Sequence, residues 1–533
     1  MARRADTPLV SLTLNLLREE ITDPKKALAH SKSPKLAIAT PGVFPGATLY
    51  YEAPRSKPVS WLEFIDPAFP GLDNLRSQHA SAVLFFPVGS RIFACTFGYG
   101  HALLSATAVE SSFGIKTALK LCDPATLKSI DYRTIEERTR IGRVQLSQGG
   151  SVGAFRVDTD TDLLRGIEAK SKNLSVCERI GGRWASATVG ARVDVAGLPQ
   201  LGAALLKVFK KARMPPEFAW IENVQRVTDP SLVDALDGAL EAKLDASEFV
   251  NIRFAIPELA GPSIGIDARL FAVDGPECDS DISTYLDARP RAVARTLQAA
   301  KKTHKVCLVD TASGKARATV PIYQCIVAEI EHASEQYLLA DGEWFCLDKD
   351  FVAEVNKSMT KIPRLSIPLP NWKKGQREDE WNIAAVAALK SRKAVLLDKH
   401  MLSMAGRYSA VEPADILVDD RTLLHVKRRD KSSGGLSHLF AQGSVATEML
   451  TSELSFRKKL AGLLGTNQRN LARELGAGSL DTSKWTVAYV LLGANEKDPA
   501  GSLPFFSKVN LRKHVQRLQS MQYTVNIAGV PHA

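Results

Sequence analysis

From Glu378 onward the apolar pattern changes period in an order that few folds accommodate. Residues 381–389 are apolar nearly all round, which predicts a buried helix. Residues 395–397, 414–418 and 422–426 read as three short strands, with Asp419-Asp420 at the turn between the last two. A helix follows with Leu436, Leu439, Phe440, Gly443 and Leu450 on one face, and 486–492 reads as a further strand. The predicted order is α-β-β-β-α-β.

Strand alternation places His425 and Lys427 on one face, about 6.6 Å apart along the strand, with Leu424 and Val426 on the other. Whether Asp415 joins them depends on hairpin register, since a slip of one residue reverses the face. A two-residue loop at Asp419-Asp420 pairs Asp415 with Leu424 and turns the carboxylate away. A three-residue loop that includes Arg421 pairs Asp415 with His425, and this is the register expected. An acid on one strand and a second ligand on the next can hold a divalent ion that activates water and neutralises phosphate charge. A neighbouring lysine then steadies the nucleophile or the developing charge. Burying Lys427 without an anion would cost several kcal/mol, so a carboxylate or phosphate should lie beside it. A structural ion pair explains the same residues without catalysis.

A strand acid at Pro413-Ala414-Asp415, then His425-Val426-Lys427 on the partner strand, inside α-β-β-β-α-β, resembles the restriction-endonuclease-like (PD-(D/E)XK) nuclease superfamily over about residues 376–495. The resemblance implies a metal-dependent nuclease acting on nucleic acid, DNA more than RNA, with Mg²⁺ or Mn²⁺ held by Asp415 and His425 and further by Glu380. Lys427 then orients the nucleophile. The superfamily usually has Glu or Asp where this chain has His425. Imidazole is a poorer ligand for Mg²⁺ than a carboxylate, so the exchange favours Mn²⁺, a general-base role for His425, or a domain that binds nucleic acid without cutting it. The phrases Phe97-Gly98-Tyr99-Gly100, His425-Val426-Lys427-Arg428, Leu436-Ser437-His438-Leu439-Phe440 with Gln442-Gly443, and Leu503-Pro504-Phe505-Phe506-Ser507 are similar to a sporadically distributed family of uncharacterised bacterial proteins. That patchy occurrence implies antiphage defence and a possible homo-oligomer or partner protein.

Other residues divide between functional and ordinary readings. Glu380 sits at a helix start, where acids complement the helix dipole, or serves as a further ligand. His438 and Gln442 lie four apart, away from Leu439 and Gly443, and reach jointly toward a substrate or form a solvated face. Lys427, Arg428, Arg429 and Lys431 stand where phosphate contacts would be useful, although such runs are commonly just solvated. Lys508, Arg512, Lys513 and Arg517 have near-helical spacing and extend the basic surface or balance acids elsewhere.

At 533 residues and 45% hydrophobic content the chain exceeds one core. We expect an α/β and α+β multidomain protein: an N-terminal α+β domain with antiparallel hairpins over 1–225, a middle helical and antiparallel-sheet region over 226–370, and the nuclease-like domain over 371–533. The hairpin flanks Pro87-Val88-Gly89-Ser90-Arg91, Asp229-Pro230 caps a helix, 291–302 forms another, and 306–347 reads as a meander. Pro363, Pro368 and Pro370 mark a linker. Phe97-Gly98-Tyr99-Gly100 and Ser112-Phe113-Gly114 lack phosphate-loop spacing and read as tight turns. The net charge of +11 favours polyanions. Seven scattered cysteines without a C-x-x-C pair fit reduced cytoplasmic thiols, and no apolar run suggests a membrane span or a secretion signal.

Overall fold

A computed structural model describes residues 8–29, 32–37, 44–58, 76–105, 107–134, 140–155, 157, 162–246, 248, 251–254, 266–270, 297–310, 316–403, 410–418, 421–429 and 436–532. The chain is mixed α/β and divides into two compact units, one of residues 1–133 with 141–222, the other of 134–140 with 223–533. The second unit thus holds both the middle region and the C-terminal domain of the sequence reading.

The first unit is built on a ten-stranded sheet. Strand Leu9–Leu16 lies inside it between Ser186–Arg192 and Arg91–Gly98, antiparallel to both. The expected hairpin joins Arg76–Val88 to Arg91–Gly98, and Gly89 at φ 61° takes the left-handed conformation its tight turn requires. One face is apolar: Leu12, Leu14, Ile167, Ile180, Ala187 and Val189 share a core with Phe113 and Leu119 of helix Phe113–Leu121 and Leu205 of helix Leu198–Lys211. The tight turn expected at Ser112-Phe113-Gly114 is therefore a helix start. A Cβ on Gly114 would lie 2.1 Å from the Arg183 carbonyl oxygen, so this glycine lets helix and sheet approach.

In the second unit Asp229 caps helix Pro230–Asp245 by accepting the Ser231 amide at 3.1 Å. The meander expected over 306–347 is split between two sheets. Strands Ile326–His332, Glu335–Ala340 and Glu343–Leu347 run consecutively, whereas Lys305–Asp310 and Ala316–Pro321 join Ile266–Leu270 in a separate three-stranded sheet. The break is a helical turn, Ile322–Cys325, in what read as continuous strand. Ser313-Gly314, and residues 291–296 of the helix expected there, lie outside the described residues, of which Leu297–Lys302 is helical.

The C-terminal domain is organised by a five-stranded sheet. Strands Val395–Leu396, Ile416–Val418 and Thr422–Arg428 are antiparallel neighbours, after which Thr486–Leu492 and Thr524–Val530 continue in parallel. One face packs Leu417, Leu423, Tyr489 and Ile527 with Phe440 of helix Leu436–Ser452 and Leu511 of helix Phe505–Ser520. The other packs Ile416, Leu424, Val426 and Val490 against Trp381 and Ala385 of helix Glu378–Ala388. The expected elements occur in the expected order within this sheet and its packed helices, interrupted by the short strands Leu402–Ser403 and Ala410–Val411 and the helices Leu454–Gly462 and Arg469–Leu475, and Phe505–Ser520 and Thr524–Val530 follow them. The proline segment taken as a linker is pinned to the last strand: Leu365 N–H donates to the Ile527 carbonyl and Ile527 N–H to that of Pro363, each at 3.0 Å. Among the described residues no helix is long and apolar enough to cross a membrane.

Candidate metal centre

The backbone sets the site first. Val418 pairs with Thr422 and Ile416 with Leu424, so three residues separate the strands as expected, and at the strand start the Asp415 amide donates to the Leu424 carbonyl at 3.0 Å. Asp419 and Asp420 themselves lie outside the described residues. Ile416 also pairs with Leu396, and the Asp415 carbonyl accepts the Leu397 and Asp398 amides at 2.8 and 2.9 Å. These two registers bring Asp398 beside Asp415 at the ends of adjacent strands. Glu412 approaches from the preceding bend, where its carboxylate accepts the Lys399 amide.

Asp398, Glu412 and Asp415 each present a carboxylate oxygen, and the three oxygens lie within 4.8 Å of one another. Asp415 is 9% exposed and its Oδ2 accepts the Val426 amide at 2.7 Å. Burial pushes its pKa up to about 8, with the charges of Glu412, Asp398 and Glu378 adding and the Val426 amide opposing. Burial likewise raises Glu412, opposed by the Lys399 amide and the Lys427 charge. Acids that oppose one another's ionisation in this way are relieved by a proton or by a cation. Carboxylate oxygens suit a hard divalent ion.

Lys427 has the anionic partner expected for it: its Nζ lies 3.2 Å from Oε1 of Glu378, and the other oxygen of Glu378 accepts the Arg428 amide at 2.8 Å. Arg377, Glu378, Asp379, Asp398, Lys427 and Arg428 share a cleft of ≈ 400 Å³.

The structure does not bring His425 into the acidic group. Its ring is 2% exposed, 6.1 Å from that of Tyr489 on the sheet face covered by helix Leu436–Ser452. Burial lowers its pKa to about 4, so the imidazole is neutral, and its Nε2 has no hydrogen-bond partner among the described residues. The argument for Mn²⁺ over Mg²⁺ through a nitrogen ligand falls with it, because the gathered donors are all oxygen. Glu380 is not brought in either. Its Oε2 accepts the Arg377 amide at 3.0 Å, so it closes a capping box while Glu378, two residues earlier, faces Lys427.

Of the expected phosphate contacts, Arg428 is exposed at the cleft, while Arg429 donates to the Ser502 hydroxyl and carbonyl at 3.2 and 2.6 Å. Lys431 lies outside the described residues. His438 is exposed and Gln442 half-buried on helix Leu436–Ser452, neither lining the cleft. Asp398 and Glu412 were missed. The signal for Asp398 was available: extending the pairing of residues 395–397 with 414–418 sets it next to Asp415.

Comparison with curated proteins and with solved structures finds no significant match. A model of the DUF6119 family, a family of unknown function, matches residues 12–531, and the chain belongs to that family.

Proposed function

We propose that the C-terminal domain is a metal-dependent nuclease that hydrolyses phosphodiester bonds, on a restriction-endonuclease-like core. The observation that carries this reading is the convergence of Asp398, Glu412 and Asp415 within 4.8 Å beside a lysine-lined cleft. The α-β-β-β-α-β order, with antiparallel strands turning to parallel at Thr422–Arg428, supports it.

A bound Mg²⁺ or Mn²⁺ supplies a polarised water and neutralises phosphate charge. Asp398, Glu412 and Asp415 would hold the ion through their oxygens. Lys427 meets the charge that develops on the phosphate, and Glu378 keeps its ammonium at the cleft between turnovers. Arg428 adds a phosphate contact. DNA ranks above RNA as the substrate by analogy with the superfamily, and a cytoplasmic role in bacterial defence rests on the resemblance alone.

The second reading is a nucleic-acid-binding or sensing protein that has lost hydrolysis. It is favoured by His425, which stands buried and neutral where the superfamily carries an acid. Labelled DNA and RNA incubated with Mg²⁺ or Mn²⁺ separate the two readings. The nuclease cleaves one of them, and Asp415→Asn and Lys427→Ala each reduce cleavage by about 10²-fold or more. Cleavage that survives both substitutions removes this site, and binding without cleavage selects the second reading.

A further inference from the structure

The ten-stranded sheet of the first unit buries one face, and the other holds a cleft of ≈ 390 Å³. Alternation decides what lines it. With Leu12, Ile180, Ala187 and Val189 in the core, the same strands turn Ser11, Thr188, Gly190, Gly181, Arg179 and Arg183 outward.

Gly182 and Gly190, on opposite faces, differ in what the fold asks of them. On the core face, a Cβ on Gly182 would lie 2.4 Å from the Gly114 carbonyl oxygen and 2.5 Å from the Ala118 side chain, so helix packing requires glycine there. On the cleft face, the nearest atom to a Cβ on Gly190 is the Arg179 Cβ at 3.4 Å, an ordinary contact. A Cβ fits at Gly190, and a β-branched residue there would favour the strand. Glycine inside a strand without an internal reason marks the close approach of something else.

The walls say what approaches. Arg143, Arg179 and Arg183 stand around this floor, and Arg143 and Arg183 converge on Asp131 at 3.2 and 3.1 Å. Planar guanidinium groups in such an array match a phosphate. Asp131 holds two of these groups in place: its Oδ2 accepts from Arg183 and its Oδ1 is ion-paired with Arg143, while Glu168 is the other acid of the lining. The volume falls in the range of small-molecule sites.

We infer that this cleft binds a phosphate-bearing ligand of nucleotide size, its phosphate on Arg143, Arg179 and Arg183 and its body against the floor at Gly190. The inference is independent of the C-terminal metal centre. Two sources share this chemistry: a free nucleotide and the 5′-phosphorylated end of a strand.

Equilibrium dialysis of the full chain in EDTA, which silences metal-dependent cleavage, tests it with labelled AMP, GMP, CMP and UMP, with adenosine and guanosine as phosphate-free comparators. At least one monophosphate, or a 5′-phosphorylated oligodeoxythymidylate, binds more tightly than its phosphate-free counterpart. Arg179→Ala and Gly190→Val each weaken that binding by roughly tenfold or more. Gly190→Val unfolds at the same temperature as the parent or higher, which separates a filled cleft from a damaged sheet. Binding confined to the oligonucleotide assigns the source as a strand end. Absence of binding by every probe, equal binding of nucleosides, or undiminished binding by both variants overturns the inference.

Discussion

Oδ2 of Asp415 accepts the Val426 amide at 2.7 Å, so the acid at the centre of the candidate site is fastened to the strand that carries Lys427. Asparagine keeps an acceptor for that amide and removes the charge. Asp415→Asn should therefore fold, and without a cation at pH 8.5 it should melt roughly 2–4 °C above the parent, because a repelled carboxylate is gone. It should also lose the stabilisation that Mg²⁺ gives the parent. Thermal unfolding with and without Mg²⁺ measures both, and a variant still stabilised by Mg²⁺ would remove Asp415 from the ion.

The pH dependence follows from the same residue. The folded carboxyl has its pKa raised to about 8, above the unfolded value, so stability present below the unfolded pKa is lost as pH rises toward 8 in metal-free protein. Cation binding has the opposite slope, because the ion displaces the proton. Apparent Mg²⁺ affinity should rise by about tenfold per pH unit up to about 8 and level off above it. Titration calorimetry at pH 7 in buffers of different ionisation enthalpy should report close to one proton released per ion. A pH-independent affinity sinks this account.

Lys427 and Glu378 are each partly exposed, so their pairing adds no more than about 1 kcal/mol to stability. Its consequence should be catalytic instead. Lys427→Ala should reduce cleavage by about 10²–10³-fold while leaving Mg²⁺-induced stabilisation intact. Glu378→Gln, which keeps acceptors for the lysine and for the Arg428 amide, should cost far less. Equal losses in the two variants would assign the pair to structure alone.

Neutral, buried His425 should be replaceable. His425→Leu removes a ring nitrogen without a partner among the described residues and adds apolar surface against Tyr489. Mg²⁺ affinity should stay within about twofold of the parent, and melting should be unchanged or higher. A tenfold fall in affinity would return the imidazole to the ion.

Alternation and loop length carried the sequence reading as far as the three-residue connection between Val418 and Thr422 and the pairing of their strands, because period-two patterning fixes which residues share a strand face. They could not show where each side chain turns once the strand ends. Asp415 lies at a strand start, beside Asp398 and Glu412, whereas His425 lies within a strand, next to Tyr489 of the neighbouring strand, on the face that Phe440 covers. Glu380 was legible as a helix-start acid, but helical rotation decided that Glu378 would face the cleft. The split meander had no local warning, since Ile322–Cys325 is as apolar as a strand.

The phrase Leu503-Pro504-Phe505-Phe506-Ser507 finds its reason far away in sequence. Buried Glu329, in the strand Ile326–His332, accepts the Phe505 and Phe506 amides at 2.6 and 3.1 Å, and so caps helix Phe505–Ser520 from another sheet. Phe351 of the helix Lys349–Met359 packs edge-on against Phe505, and Arg512 reaches Glu354, which reinforces the joint. Glu329→Ala leaves two buried amide donors unpaired, at a cost of about 1–3 kcal/mol each. Glu329→Gln keeps one acceptor and should cost about half as much. Because the carboxylate joins the middle sheet to the C-terminal domain, Glu329→Ala should lower the first melting transition and separate it from the next, whereas a cap local to one helix would shift one transition without dividing it. Differential scanning calorimetry of the three proteins decides between these outcomes.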